Sequence, residues 1–182
     1  MAERLASLEA IERSVWRELV AAPADQQHPW RTQVLATANG ERADARTVVL
    51  RHADSAKHRL TFFTDSRSPK VAQMEAQPLG TLVAWSPELG WQLRLRVQLD
   101  VQRDGLTVSS EWARLKLSPS AHDYLSALAP GSVLDNALGA RGERAHFALV
   151  VASVLSIDWL ELHAEGQRRA CFDGRGAVWL QA

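Results

Sequence analysis

An unbroken alternation of apolar and polar residues from 91 to 102 constrains the fold of this 182-residue chain more than any other feature. Its apolar members are Trp91, Leu93, Leu95, Val97, Leu99 and Val101, and its polar members are Gln92, Arg94, Arg96, Gln98, Asp100 and Gln102. Successive side chains of a β-strand point to opposite faces, so this period predicts one long strand with an apolar face and a polar face. A strand of this kind is typical of an antiparallel sheet that packs one face on a core.

Several shorter segments also have strand character. Stretches rich in Val, Thr and Phe, separated by turn-prone residues, predict strands at 33–37, 45–51, 60–64, 81–85, 147–162, 168–172 and 177–180. No internal repeat interrupts this order. Closely spaced strands joined by hairpins predict a mainly β fold, in which an antiparallel barrel carries peripheral α-helices.

Helical patterns are short and few. Apolar residues at helical spacing predict an amphipathic helix over residues 7–22, which Pro23 ends. Ser68 suits a helix N-cap and Pro69 suits the first helical position, so a second helix is expected to begin there. Two further helices and a glycine-containing loop are predicted at 110–117, 120–128 and 129–144.

Composition excludes several classes of protein. Twenty-one basic and twenty-one acidic residues give a net charge of zero, so the chain lacks the bulk attraction of a nucleic-acid or anionic-membrane binder. The single Cys171 excludes a disulfide framework. The longest nearly apolar run, 147–157, is too short to span a membrane, and no signal peptide is recognised. We expect one cytoplasmic domain over residues 1–182, with the seven Trp in a core, an aromatic pocket or a subunit interface.

Three cationic residues are candidates for a local anion site. Arg46 and Arg51 are five positions apart and point to opposite faces of a regular strand, so they serve one ligand only if the strand bends or the site wraps round its edge. Lys70 lies in the first turn of the predicted helix at 68, where free N–H groups favour an anion. A phosphate held by Lys70, Ser68 and one strand arginine is one interpretation, and solvated surface charge is the other.

The other polar groups do not by themselves define a site. Gln92 begins a polar stripe that suits either a solvent face or a face covered by a subunit or ligand. The six His are scattered without metal-ligand spacing, so no metal site is predicted. Cys171 is interpreted as a core residue, although Arg169 lies on the same strand face. No glycine-rich dinucleotide or phosphate-loop motif is present.

The order of these segments resembles the pyridoxamine 5'-phosphate oxidase family of FMN-binding split barrels, especially its oxidase-related members. Residues 46–51, Arg-Thr-Val-Val-Leu-Arg, resemble the family's Arg-x-Val-Leu-Leu-Lys strand. Residues 62–65 and 66–70 resemble its Phe-Tyr-Thr-Asn and Ser-Arg-Lys segments. Residues 91–94, Trp-Gln-Leu-Arg, are similar to its Arg-Gln-Val-Arg strand, and Trp159 resembles its late tryptophan.

The resemblance implies an antiparallel Greek-key split barrel that forms a homodimer, with FMN at the interface and touched by both chains. It implies that the FMN phosphate is held by Arg46, Arg67, Ser68 and Lys70. It implies further cofactor contacts, partly through backbone groups, at Thr47, Val48, Val49, Leu50, Phe63, Thr64, Gln92 and Trp159. Arg51 replaces a family lysine near the flavin and the substrate, which keeps the charge and loses the compact ammonium.

The substrate side departs from the family's pattern. The family's Tyr, Arg and Ser at a spacing of four and four correspond here to Trp112, Lys116 and Ser120. The family's late Arg-Leu-His segment is not reproduced, and Arg168 and Arg169 are the later basic candidates. We therefore expect Arg51, Trp112, Lys116, Ser120 and Arg169 on the substrate side, without support for oxidation of pyridoxamine 5'-phosphate itself.

Three functional hypotheses follow. The first is an FMN-dependent oxidoreductase in which the chain anchors and orients the flavin, and no side chain has to act as an acid or base. The second is a β-barrel dimer that binds flavin or another small ligand without turnover. The third is a purely structural interaction module, in which Arg46 and Lys70 have no ligand.

Overall fold

Antiparallel strands form the framework of the protein. The computed structural model describes residues 4–40, 42–134 and 146–182. The strands are β1 (Thr32–Asn39), β2 (Arg42–Asp54), β3 (Arg59–Asp65), β4 (Leu79–Ser86), β5 (Trp91–Gln102), β6 (Phe147–Glu161), β7 (Arg168–Asp173) and β8 (Gly176–Leu180). Six of them close into a barrel in the order β3-β2-β1-β4-β5-β6, because β3 also pairs with β6. The remaining two extend the sheet beyond β6, and the predicted mainly β barrel is confirmed.

The alternating segment is the central strand β5. Leu93, Leu95 and Val97 are fully buried, while Arg94 and Arg96 on the other face are exposed. This strand pairs with β4 on one side and with β6 on the other. The apolar face of β5 thus contributes a full row of side chains to the barrel core, as its sequence period predicted.

Helix α1 closes one side of this core. It spans Leu8–Ala21, one residue shorter at each end than expected, and begins at Ser7, whose Oγ accepts a hydrogen bond from the N–H of Ala10 at 3.1 Å. Its apolar face is buried through Ile11, Val15, Trp16 and Leu19. Burial of this stripe against the barrel is the main source of stability for a helix of this length.

The segment after β5 differs from prediction. Helix α3 spans Leu106–Leu115 and begins four residues earlier than expected, because Gly105 at φ 94° turns the chain into the helix soon after β5. The second predicted helix, 120–128, is instead a 3₁₀ turn over Pro119–Tyr124. Its buried members Ala121 and Tyr124 are three residues apart, which matches three residues per turn. The predicted loop at 129–144 falls mostly outside the described residues.

In the part of the chain that the structure describes, this arrangement produces two apolar clusters. The larger fills the barrel and the space under α1, and includes Trp30, Leu50, Phe62, Leu82 and Trp159. The smaller lies between α3, the 3₁₀ turn and the strands β3 and β6, and contains Val108, Leu115, Tyr124, Phe147 and Leu149. Among the described residues, no helix has the length and apolar character needed to cross a membrane.

Candidate functional site

Two cationic side chains, Arg46 and Lys70, meet between β2 and a short helix. This helix, α2, spans Pro69–Ala76 and packs against β1 and β5. Arg46 projects from β2 and lies close enough to Lys70 for its charge to act on that ammonium. Ser68, the N-cap residue of α2, accepts a hydrogen bond through Oγ from Lys70 Nζ at 2.9 Å. Three of the residues predicted to hold a phosphate are therefore neighbours.

The electrostatic environment of Lys70 favours an anion. Burial lowers the pKa of Lys70 from its ordinary value, and the Arg46 cation lowers it further, while the carboxylate of Asp65 opposes both. Burial and a like charge both disfavour the charged form of an ammonium group. A ligand anion next to Lys70 and Arg46 would relieve the repulsion between them, so this pair is suited to a phosphate.

Arg46 is held by four acceptors of the chain. Its Nη1 donates to the carbonyl of Leu35 at 3.2 Å and to Thr37 Oγ1 at 2.6 Å. Its Nη2 donates to Gln73 Oε1 at 2.9 Å and lies 2.7 Å from Asp44 Oδ2. Gln73 Oε1 also accepts from Thr37 Oγ1 at 2.7 Å, and Gln73 Nε2 donates to Asp44 Oδ2 at 2.9 Å. These bonds define a network, the Arg46 network, that fixes the guanidinium.

Sequence reasoning missed three members of the Arg46 network. Asp44 is two residues before Arg46 on the same strand face, so this spacing alone could have predicted their contact. Thr37 lies opposite Asp44 in the β1–β2 register, which depends on strand pairing. Gln73 reaches the network only because α2 packs on β1, a contact that no local pattern shows.

Arg67 has different partners from those expected. Its Nε and Nη2 donate to the two carboxylate oxygens of Asp65 at 3.1 and 2.7 Å, and Nη2 also donates to the carbonyl of Ser126 at 2.9 Å. Asp65 is only 5% exposed. The guanidinium of Arg67 thus joins the turn before α2 to the segment at Ser126, and is directed to these groups rather than to the Arg46–Lys70 pair.

The segment predicted to run along the flavin alternates between two environments. Val48 and Leu50 are buried in the barrel core, whereas Thr47 is exposed and Val49 is half-buried. The side chains of Val48 and Leu50 are therefore committed to packing. Contact of this segment with a ligand would involve backbone groups and the side chains of Thr47 and Val49.

Arg51 lies in a separate cluster, at a β-bulge between Leu50 and His52. A bulge re-aims the side chain of its extra residue. The guanidinium carbon of Arg51 lies 5.4 Å from the centroid of the Phe63 ring. Burial raises the pKa of Tyr124, and the charge of Arg51 and a hydrogen bond with Arg51 partly offset that rise. The Nε of Arg51 is buried without a hydrogen-bond partner among the described residues, beside a cavity of about 260 Å³.

The predicted flavin residue Phe63 and the predicted substrate residue Trp112 share one aromatic cluster. Both rings contact Phe147, with centroid separations of 4.9 and 5.5 Å. The next predicted residue, Thr64, is only 4% exposed, and its Oγ1 donates to the carbonyl of Asp65 at 3.4 Å. Phe63 and Trp112 thus stand on the side of Arg51, while the hydroxyl of Thr64 is turned inward.

The other predicted substrate residues are not gathered there. Lys116 follows the end of α3 and is exposed, while Ser120 lies in the 3₁₀ turn. Their spacing of four does not put them on one helix face, because α3 ends at Leu115. Arg169, on β7, donates from Nε and Nη2 to the carboxylate of Asp158 at 3.0 and 2.7 Å. Arg169 therefore lies on the part of the sheet that extends beyond the barrel.

Gln92 and Trp159 occupy opposite faces of neighbouring strands. Gln92 is half-buried on the polar face of β5, opposite Trp85 of β4 and Leu160 of β6. Trp159 is wholly buried, and its ring contacts Trp91 at a centroid separation of 5.5 Å. Within one chain Trp159 is a core residue, because its side of β6 faces the barrel interior, and its contact with flavin stays a prediction.

A buried carboxylate near Trp159 was also missed. Glu161, at the end of β6, accepts hydrogen bonds from Arg4 at 2.6 Å, from Arg168 at 2.8 and 2.9 Å and from the indole of Trp91 at 3.3 Å. We call these groups the Glu161 clamp. The guanidinium carbon of Arg168 lies 5.6 Å from the centroid of Trp159. The clamp ties the N-terminal segment to the strands β5, β6 and β7.

The thiol of Cys171 has a raised pKa, caused by burial and by the nearby carboxylates of Asp173 and Asp158. This environment favours a neutral thiol over a reactive thiolate. Across residues 4–40, 42–134 and 146–182, no three His, Cys, Asp or Glu side chains are grouped so that they could hold a metal ion.

Comparison with known proteins places this fold among flavin-binding domains. The family model described as "Pyridoxamine 5'-phosphate oxidase, FMN-binding domain" matches residues 13–103. A pyridoxamine 5'-phosphate oxidase-related, FMN binding protein from Nostoc punctiforme is 21% identical, with 99% of this chain and 100% of that chain covered and a TM-score of 0.71. PhzG from Burkholderia lata, solved with tetrahydrophenazine-1-carboxylic acid, is 17% identical, with 97% and 94% covered and a TM-score of 0.74.

A third solved structure, General Stress Protein 26 from Bacillus anthracis, is 16% identical, with 80% of this chain and 92% of that chain covered and a TM-score of 0.55. No curated protein matches the chain in sequence. At these identities the solved structures share the fold, and they confirm the predicted split barrel.

Proposed function

Because the chain belongs to the pyridoxamine 5'-phosphate oxidase family of FMN-binding domains, we propose that it is an FMN-dependent oxidoreductase. The convergence of the half-buried Lys70 with Arg46 and Ser68 is the observation that supports this most directly. A phosphate monoester matches that charge, and FMN carries one. The flavin would supply hydride transfer, and the chain would supply anchoring, orientation and exclusion of water.

The residues present fit the phosphate of FMN. Lys70 Nζ carries three N–H donors and gives one to Ser68, so further donors remain for a ligand. The first turn of α2 adds the positive end of the helix dipole, although Pro69 has no N–H and the N–H of Val71 donates to the carbonyl of Ser68 at 2.8 Å. Lys70 and the start of α2 would hold the phosphate, and Arg46 would add a second cation.

The cluster around Arg51 is the proposed location of the flavin ring system and of the substrate. Arg51 lines a cavity of about 260 Å³, so its guanidinium is a cation beside which an anionic ligand group can bind. Phe63 and Trp112 provide aromatic surface beside it. PhzG was solved with a ring carboxylic acid. A planar, anionic substrate therefore suits the Arg51 side, where an arginine can pair with a carboxylate.

The absorbance spectrum tests the proposal directly. Purified protein, or protein mixed with FMN and freed from excess, is expected to show bound oxidised flavin. Anaerobic addition of NADH, NADPH or pyridoxamine 5'-phosphate is then followed by loss of the flavin bands. Bleaching by one of them and recovery with oxygen supports an oxidoreductase, whereas bound flavin that none reduces favours flavin binding without turnover. A protein that refuses FMN contradicts both.

We propose further that the chain forms a homodimer through the polar face of β5 and its neighbours. The register places Trp85, Gln92, Leu160, Arg169 and Leu180 in one row across the strands β4 to β8. Trp85 and Leu180 are 43% and 40% exposed. Large apolar side chains interspersed with arginines are typical of subunit interfaces. This contact would allow the partner's Gln92 to approach FMN bound on the first chain.

The variant Trp85→Arg is expected to shift the protein from dimer to monomer. A central interface Trp commonly contributes more than about 2 kcal/mol, so the dimer dissociation constant should rise at least about thirty-fold. Sedimentation velocity at several concentrations measures this change, and FMN affinity should fall in the same variant. Val20→Arg is the matched control, because Val20 is 46% exposed on α1. A Trp85→Arg protein that stays dimeric would contradict this interface.

A further inference from the structure

The hydrogen bonds of Arg46 constrain how it can bind a ligand. A guanidinium has five N–H donors, and Arg46 uses both on Nη1 and both on Nη2 within the chain. A phosphate that binds to Arg46 through the two Nη atoms has to replace one of these acceptors. Through its Nη atoms the arginine is thus a phosphate ligand only after an exchange of partners.

Asp44 is the acceptor that can be exchanged most easily. Its side chain is 48% exposed, so its carboxylate can rotate into water without disturbing the core. Thr37 and Gln73 are only 4% and 8% exposed and are bonded to each other. The fourth acceptor is the carbonyl of Leu35, which belongs to the backbone of β1. Exchange at Asp44 therefore leaves the bonds of Arg46 to Leu35, Thr37 and Gln73 in place, and the bond it breaks elsewhere in the network is the one from Gln73 Nε2 to Asp44 Oδ2.

The negative charge of Asp44 determines how this exchange affects phosphate binding. Hydrogen bonding by Gln73 and the charge of Arg46 lower the pKa of Asp44, so the group is an anion at neutral pH. A carboxylate bound to a guanidinium repels a phosphate that approaches the same guanidinium. The neutral acceptors Thr37 and Gln73 have no such effect.

We propose that Asp44 is an internal competitor for the phosphate, which keeps Arg46 oriented and sets how tightly the chain holds a phosphate-bearing ligand. For FMN this inference rests on the proposed function, whereas for inorganic phosphate it does not. Asp44 acts by occupying Arg46, so it is a positioning and affinity-determining residue rather than a catalytic one. This effect requires the phosphate, so Asp44 should not change the affinity of the chain for a flavin that has no phosphate.

Asp44→Asn removes the charge and keeps an oxygen that accepts a hydrogen bond. FMN is expected to bind this variant about ten-fold more tightly than wild type, with slower release, because an internal anion no longer competes. Riboflavin, which lacks the phosphate, should bind both proteins equally. Quenching of flavin fluorescence on titration measures both affinities. Asp54→Asn is the matched control, because Asp54 lies on the same strand with a side chain that is 44% exposed.

Inorganic phosphate separates this inference from the proposed function. If wild type fails to bind FMN, the oxidoreductase proposal fails, and the increase of melting temperature with phosphate still tests Asp44. A larger increase in Asp44→Asn than in wild type supports the competitor. Equal or weaker FMN affinity in Asp44→Asn, or an equal response to phosphate where FMN does not bind, overturns it. Asp44→Ala serves as a second variant if circular dichroism shows that Asp44→Asn is not folded.

Discussion

Lys70→Met is expected to weaken FMN binding by about a hundred-fold while leaving the fold intact. Loss of one partner of a partly buried charge pair commonly costs about 2–5 kcal/mol, and each 1.4 kcal/mol is a factor of ten in affinity. Asp44 lies 2.7 Å from Arg46 and offsets its charge. Lys70 Nζ is bonded to the neutral hydroxyl of Ser68, so its positive charge is better available to a phosphate. Fluorescence titration with FMN measures the loss. Riboflavin affinity is expected to stay the same, because riboflavin has no phosphate.

Stability should move in the opposite direction in this variant. Burial and the Arg46 cation both lower the pKa of Lys70, so its charged form is disfavoured in the folded chain. Replacing it by the apolar Met removes that repulsion, and the melting temperature is expected to be equal to or above that of wild type.

Lys57→Met is the matched control for Lys70→Met. Lys57 is 68% exposed and pairs with Asp54 at the surface, so its replacement should change neither FMN affinity nor stability. If Lys70→Met retains the wild-type affinity for FMN, Lys70 is not a phosphate ligand. If FMN and riboflavin lose affinity equally, the variant has altered the ring site and not the phosphate site.

Glu161→Ala is expected to cause the largest loss of stability, about 3–5 kcal/mol, because it leaves a buried charged network without its anion. Glu161 is 4% exposed and accepts hydrogen bonds from Arg4, Arg168 and Trp91. Its removal also frees Arg168 from its place beside Trp159. Denaturant unfolding measures the change in free energy, and near-ultraviolet circular dichroism reports the environment of the tryptophans.

The Glu161 clamp also predicts how stability depends on pH. Burial by itself raises the pKa of Glu161, and hydrogen bonds from Arg168 and Arg4 outweigh it, so that the pKa in the folded chain is lower than the ordinary value. The folded chain then binds fewer protons at this group than the unfolded chain does. The contribution of Glu161 to stability is complete above the ordinary carboxyl pKa and is lost as the pH falls through the lowered value.

Glu165→Ala separates the clamp from surface charge. Glu165 lies 3.6 Å from the same Arg4, but its side chain is 75% exposed, so its loss should change stability by no more than about 0.5 kcal/mol. Glu161→Gln keeps the shape, so it isolates the contribution of the charge. An unfolding free energy in Glu161→Ala within about 0.5 kcal/mol of wild type would show that the clamp is not stabilising.

Sequence patterns predicted the elements of the barrel well because each pattern is local. The alternation in β5 predicted which of its residues are buried, and Ser68 with Pro69 predicted the start of α2. The predictions for 110–128 were wrong in detail, because a turn at Gly105 and a buried spacing of three decided the helix boundaries there.

The candidate site was predicted in part. The sequence grouped Arg46, Ser68 and Lys70, and the structure shows them as neighbours. The sequence did not predict the partners of Arg67 and Trp159: Arg67 pairs with Asp65, two residues before it, and with the carbonyl of Ser126, and Trp159 is buried in the core. Their contacts with FMN stay predictions.

The sequence by itself determined the strand periods, the starts of α1 and α2 and the grouping of the cationic residues proposed for a phosphate, because these depend on spacing along one element. Only the tertiary structure decided that Gln73 and Thr37 fix Arg46, that Asp44 shares its Nη2, and that Glu161 joins Arg4 to Arg168. Arg4 and Glu161 are 157 positions apart in the chain. Hydrogen bonds over such separations arise from strand pairing and helix docking, which follow from burial of the whole core and not from any local spacing.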